Sequence, residues 1–160
     1  MKKCIVAGVL LFNATGDRVL LLKHKKLSVW IYPGGHLQEG EDPLECAVRE
    51  TKEETGASFH VVSSTDIEIS GDGTVSLPHP LIIMREIVPY REGPHEHFDM
   101  IYLGIAEGDE YKTNHESSDS GWFTENQVSA LETFGNVKEI IGYGFRVIRG
   151  KCKLNKFHEQ

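Results

Sequence analysis

The chain has 160 residues, a formal net charge of −7, 39% apolar residues and 26% charged ones. That composition fits one globular domain, expected to span residues 1–160, with a sizeable core. The acidic balance excludes a general binder of nucleic-acid polymers, which needs basic surface to gain from counterion release, and no apolar run reaches the ~18 residues of a membrane span.

Three cysteines, Cys4, Cys46 and Cys152, are odd in number and lack metal-type spacing, so a reduced, cytoplasmic setting is expected. Lys3 to Phe12 is rich in Val, Ile and Leu and reads as a strand buried on both faces. Behind Met1-Lys2-Lys3 this apolar run imitates a short signal sequence, but the turn residues Asn13 to Asp17 fold it into a hairpin with Arg18 to Lys23. The hairpin ends in a basic run, Lys23 to Lys26, which serves either as a solvated loop or as a phosphate contact through Lys23 and Lys25. Val29 to Tyr32 is a short strand, with Trp30 assigned to the core, and it leads into a glycine loop, Pro33-Gly34-Gly35 and then Gly40.

A helix follows. Asp42 is its N-cap, Pro43 its first helical residue, Glu45 completes a capping box, and Gly56 ends it. Leu44, Ala47, Val48, Thr51 and Thr55 have the spacing of a buried stripe. At about 100° per residue, the mean direction of Glu50, Glu53 and Glu54 lies well over roughly 90° from that stripe. The three glutamates are therefore expected to share a separate face, where their mutual repulsion costs helix stability unless a hard divalent cation relieves it. A solvated acidic face is the plainer alternative.

Beyond the helix, His60 to Ser70 reads as a strand, Gly71 to Pro78 as a loop, Leu81 to Val88 as a strand and Pro89 to Pro94 as a second loop. In the strand His95 to Ile105, alternation places His95, His97, Asp99 and Ile101 on one face. A zinc-type metal site, support for substrate or catalysis, and a hydrogen-bonded structural network are all open readings of that face. Glu107 to Asp119 reads as an acidic loop, Trp122 to Thr124 as a short strand, and Glu125 to Thr133 as a short helix capped by Thr124 and Gln127. A last helix is expected over Val137 to Ile148, with Ile140, Ile141, Phe145 and Ile148 as its apolar stripe. Its basic end (Arg146, Arg149, Lys151, Lys153, Lys156) suits a helix C-terminus and a solvated tail, or a phosphate or partner contact.

The stretch from Gly35 to Ala57 resembles the signature of the Nudix (MutT-like) hydrolases. Gly35, Glu41, Arg49, Glu50, Glu53, Glu54 and Gly56 stand at the family's fixed positions, while Thr51 and Ala57 replace its bulky aliphatic residues. The resemblance implies an α/β/α sandwich around a mixed β-sheet. It implies metal ligation by Glu50, Glu53 and Glu54, with the Gly34 carbonyl as a further oxygen, and Mg²⁺ as cofactor with Mn²⁺ able to substitute. It also implies that Arg49 orients the glutamates, that Glu41 is its partner across the loop, and that Gly56 is structural. An additional carboxylate just before Trp122 often belongs to such sites, and Glu116 and Asp119 are its candidates; the general base is one of Glu53, Glu116 and Asp119. Lys23, Lys25, Gly35, His36, His95 and His97 are the expected substrate contacts. His36 stands where MutT-like sequences commonly carry Lys, which argues against oxidised-guanine sanitation.

The implied reaction is metal-dependent hydrolysis of a nucleoside diphosphate linked to another moiety, such as a nucleoside triphosphate, ADP-ribose or a nucleotide sugar, with dinucleoside and inositol polyphosphates as further candidates. The alternative is a non-catalytic nucleotide-sensing module on the same fold. The expected partner is a small nucleotide or diphosphate substrate, with no nucleic-acid polymer and no membrane; a homodimer is left open.

Overall fold

The computed structural model describes residues 1–63 and 67–157, with side chains up to residue 150. In chain order the elements are β1 (Lys2–Phe12), β2 (Val19–His24), β3 (Trp30–Ile31), β4 (Gly34–His36), α1 (Pro43–Thr55), β5 (Phe59–Val62), β6 (Ser70–Gly71), β7 (Thr74–Val75), β8 (Ile82–Tyr90), β9 (Gly93–Ala106), β10 (Ser117–Phe123), α2 (Glu125–Ala130) and α3 (Gly135–Phe157).

The main sheet is mixed. Its central path runs β10-β2-β1-β9-β5, with β3 on β2, β4 on β1 and β8 on β9. β1 and β9 are parallel neighbours from Lys2↔His95 to Phe12↔Ile105. The expected hairpin of β1 and β2 is present, paired at Phe12↔Val19. Farther along the same edge of β1, β4 takes over at Val6↔His36, Ala7↔Gly35 and Gly8↔Gly34. The glycine loop is thereby tied to the middle of the sheet.

Strand alternation divides β1 between two cores. Ala7, Val9 and Leu11 join Leu20, Tyr102 and the α1 residues Cys46 and Ala47 on one side. Leu10 and Phe12 join Val19, Leu21, Ile101 and Leu103 on the other, against Val128 of α2 and Ile140, Ile141, Phe145 and Ile148 of α3. The expected α/β/α layering and the α3 stripe are both present. Trp30 packs half-buried against the second core, edge to face with Phe123 at 4.8 Å.

Several boundaries differ from expectation. The start of β1 is not buried on both faces, since Lys2 and Lys3 are exposed and Ile5 is 40% exposed. The strand expected from His60 ends at Val62, and part of its expected range lies outside the described residues. The loop expected from Gly71 contains the β6–β7 hairpin, turned by Asp72 (φ 51°) and Gly73 (φ 75°), an Asp-Gly pair suited to two left-handed residues. The loop expected at Pro89 to Pro94 shrinks to Arg91-Glu92, because β8 and β9 pair through Tyr90↔Gly93. β10 starts at Ser117, so Asp119 belongs to a strand and not to a loop. α2 stops at Ala130, while α3 begins at Gly135 and continues past Ile148. The side chains of Lys151, Cys152, Lys153 and Lys156 lie outside the described residues. No described helix is long and apolar enough to cross a membrane.

Candidate active site

The paired glycines have separate physical reasons. A Cβ on Gly34 would stand 2.7 Å from both the Ala7 carbonyl oxygen and the Gly8 Cα, so β4 can lie against β1 only with hydrogen there. A Cβ on Gly35 would stand 2.4 Å from Glu50 Oε1, so this glycine makes room for a carboxylate. The Val9 N–H donates to the Pro33 carbonyl at 3.0 Å and fixes the entry to the loop.

α1 then brings its acids to this cradle. Its N-terminus has the full capping box, with the Glu45 N–H donating to Asp42 Oδ1 at 2.9 Å and the Asp42 N–H to Glu45 Oε2 at 2.9 Å. Its C-terminus closes on Gly56 in the left-handed region at φ 72°. The buried face differs from the expected stripe. Ala47, Thr51 and Thr55 are buried as expected, but Val48 is 47% exposed, and Cys46 and Glu54 are buried instead. The helix is rotated toward its glutamates, because the glycine-lined strands beneath it leave space for a carboxylate.

The three glutamates consequently occupy three depths. Glu54 is 6% exposed and accepts from the Gly34 N–H at 2.9 Å. The Glu50 side chain is 18% exposed and the Glu53 side chain 59% exposed. Arg49 clamps the outer part. Its Nε and Nη2 donate to Glu41 at 2.5 and 3.1 Å, Nη1 donates to Glu50 Oε1 at 2.7 Å, Nη2 donates to the His36 carbonyl at 3.1 Å, and Nη1 lies 3.5 Å from Glu53. This bidentate, shared geometry is one that a guanidinium supplies and an ammonium does not.

The electrostatics follow from these depths. Arg49 and the Gln38 N–H hold the Glu41 carboxyl below its ordinary value. Burial raises Glu50 against the pull of Arg49, and Glu53 and Glu116 add to the rise. Burial pushes Glu54 up to about 8, opposed by the Gly34 N–H and reinforced by Glu50, Glu116 and Glu53. Glu116 is thus an electrostatic neighbour of both inner glutamates. The buried Glu54 with Glu50 and Glu53 beside it is an all-oxygen donor set that fits a hard divalent cation.

The NUDIX domain family model matches residues 2–141. The chain belongs to the Nudix family. It is 38% identical over 73 residues to a putative Nudix hydrolase of Caenorhabditis elegans, covering 43% of this chain and 20% of that protein. It is 46% identical over 44 residues to the mouse asymmetrical bis(5'-nucleosyl)-tetraphosphatase, covering 28% of this chain and 30% of that protein. The matches therefore span about a fifth to a third of these relatives' own lengths. A Nudix-family hydrolase structure from Clostridium perfringens superposes with a TM-score of 0.79 at 23% identity, covering 92% of this chain and 99% of that one, which shows the fold.

In this Nudix frame the remaining predicted residues separate. Lys23 sits opposite Asp119 on β10 and opposite Trp30 on β3. Lys25 is occupied structurally: its Nζ donates to the His115 carbonyl at 2.6 Å, and its N–H donates to the Glu116 carbonyl at 3.0 Å. The Asp119 Oδ1 accepts from the Ser120 N–H at 2.8 Å, and Asp119 is not among the charges that shift Glu50 or Glu54. His95 stacks on Tyr90 at 4.5 Å, and His97 lies edge to face with His36 at 5.0 Å. Asp99 departs from the histidines, accepting from the Tyr32 hydroxyl at 3.0 Å. Sequence reasoning did not place Tyr32 beside Asp99 or Cys4 beside His36 and His97. Tyr32 directly precedes the glycine loop and offered a signal by that position; Cys4 offered none beyond its alternation with Val6.

Proposed function

We propose that the chain hydrolyses the phosphoanhydride of a nucleoside diphosphate linked to a second moiety, by attack of water on phosphorus. The observation that carries this reading is the buried Glu54, held by the Gly34 N–H beside Glu50 and within the field of Glu116. Glu50, Glu53, Glu54 and the Gly34 carbonyl are the proposed ligands of Mg²⁺, with Mn²⁺ as a substitute. That cation supplies charge neutralisation of the diphosphate and a more acidic bound water. Arg49 holds Glu50 and Glu53 in place and leaves Glu54 to the loop. Glu116 is the preferred proton acceptor over Asp119, because it shares the field of the inner glutamates, and Glu53 is the exposed alternative. Lys23 is the proposed contact for substrate phosphate, while Lys25 positions the segment that bears Glu116. The candidate substrates are nucleoside triphosphates, ADP-ribose, nucleotide sugars and dinucleoside or inositol polyphosphates, and the mouse relative, named for cleaving a dinucleoside tetraphosphate, supports testing the dinucleoside class.

The test is product formation across that panel with and without Mg²⁺ or Mn²⁺ in ¹⁸O-labelled water. Label in a phosphate product of one substrate class, only with metal, supports the proposal and names the attacked phosphorus. Absence of turnover across the panel in a folded, metal-loaded chain would exclude it.

A further inference from the structure

Three strands meet near the Lys2 end of β1. Cys4 lies opposite His97 in the parallel β1–β9 register, and His36 lies opposite Val6 where β4 joins β1. Cys4 and Val6 are two residues apart and share a face. The thiol and the two imidazoles converge, with one ligand atom from each lying within 4.8 Å of the other two. His97 is buried, Cys4 half-buried and His36 exposed. His97 Nε2 lies 3.5 Å from the Tyr90 hydroxyl.

We propose that Cys4, His36 and His97 form a binding site for a borderline-soft divalent cation of the zinc type, separate from the carboxylate site on α1. One thiolate and two imidazoles are a donor set that zinc prefers and that Mg²⁺ does not. With Zn–S near 2.3 Å and Zn–N near 2.0–2.1 Å, tetrahedral ligand atoms lie about 3.3–3.6 Å apart. The observed ligand atoms, within 4.8 Å of one another, must draw together by about 1 Å to reach that spacing. The Cys4 thiol releases its proton to solvent as the metal–sulfur bond forms, and both imidazoles bind through a neutral nitrogen.

Cys4 and His36 also line an open cleft of about 630 Å³ with Lys2, Tyr90, Glu92 and His95, so water or a solute can take the fourth position. The ion joins β1, β4 and β9. Because β4 also carries Gly34, filling this site stiffens the strand beneath the glutamates without sharing a ligand with them.

The test uses the full chain, stripped with chelator and titrated with Co²⁺ as a spectroscopic probe. The expected result is one equivalent per chain giving a thiolate-to-cobalt charge-transfer band and the intense visible bands of tetrahedral Co²⁺. Zn²⁺ displaces both signals and excess Mg²⁺ does not. Cys4→Ser abolishes the charge-transfer band, and His36→Gln abolishes the tetrahedral bands. Glu54→Gln leaves both in place, which separates this site from the hydrolytic one. His36 is exposed, so its variant carries the test even where Cys4→Ser folds poorly. Absence of the charge-transfer band in the parent chain overturns the proposal, as does its persistence in folded Cys4→Ser or its loss in Glu54→Gln.

Discussion

In the proposed reaction, Glu54 concentrates the chemistry of the site in one side chain. It is buried, pushed up to about 8, and bonded to the loop N–H that fixes Gly34. Glu54→Gln keeps the shape and removes the charge, so turnover is expected to fall by about two orders of magnitude or more. The melting temperature of the metal-free chain at neutral pH should stay near the parent's, because burial already favours the neutral form of this carboxyl; steady-state rates beside a melting curve check both. The two glycines give a second contrast. In Gly35→Ala the added methyl meets the tip of Glu50, so activity should drop with little change in stability. In Gly34→Ala it meets the backbone of β1, and the expected cost is about 1–3 kcal/mol of stability, read by urea unfolding. The signature residues were legible in the sequence because their spacing is fixed. Their depths were not, since depth depends on which strand lies beneath α1, and that strand carries glycines.

At the scale of elements, local chemistry predicted well and long-range pairing poorly. The start and stop of α1 follow from Asp42, Glu45 and Gly56, whose partners are close in sequence. The Pro89 to Pro94 segment looked like a loop because two prolines and a glycine mark turns, yet among the described strands β8 pairs on one side with β9 alone, and an edge strand tolerates Pro89. Likewise Asp119 became part of β10 through pairing with Lys23, a partner nearly a hundred residues earlier. The segment before β10 is held by Lys25, whose ammonium reaches the His115 carbonyl. Lys25→Met should free that segment, move Glu116 and lower turnover by about tenfold, given that misplacement of a catalytic group by about 1 Å can cost a hundredfold. The melting temperature should change little. An unchanged kcat would mean that Glu116 has no part in the reaction.

For the whole molecule, the α/β/α order was legible through the resemblance carried by Gly35 to Ala57, while the routing of β1 between β2, β4 and β9 was not. Global stability should carry the mark of Asp99. Burial, with Glu86 of β8 adding and the Tyr32 hydroxyl opposing, pushes its carboxyl up to about 7 from an ordinary 3.8. The folded chain thus holds this proton more tightly than the unfolded chain. Its stabilising contribution is full below about pH 4 and is lost as pH rises through 7. Between pH 5 and pH 8 in EDTA, the parent should lose about 1–3 kcal/mol relative to Asp99→Asn, measured by urea unfolding. Equal pH slopes for the two chains would contradict the assignment. The contact between β1 and the glycine loop has a further consequence for engineering. A Cβ on Gly8 would stand 2.7 Å from the Pro33 carbonyl oxygen, just as one on Gly34 would strike β1. Random libraries aimed at thermostability will find no tolerated replacement at 8 or 34, and at 35 none that keeps activity, whereas exposed Val48 on the outer side of α1 is open to redesign. The usual separation of a robust scaffold from an evolvable site fails here, because both are cut from the same pair of strands.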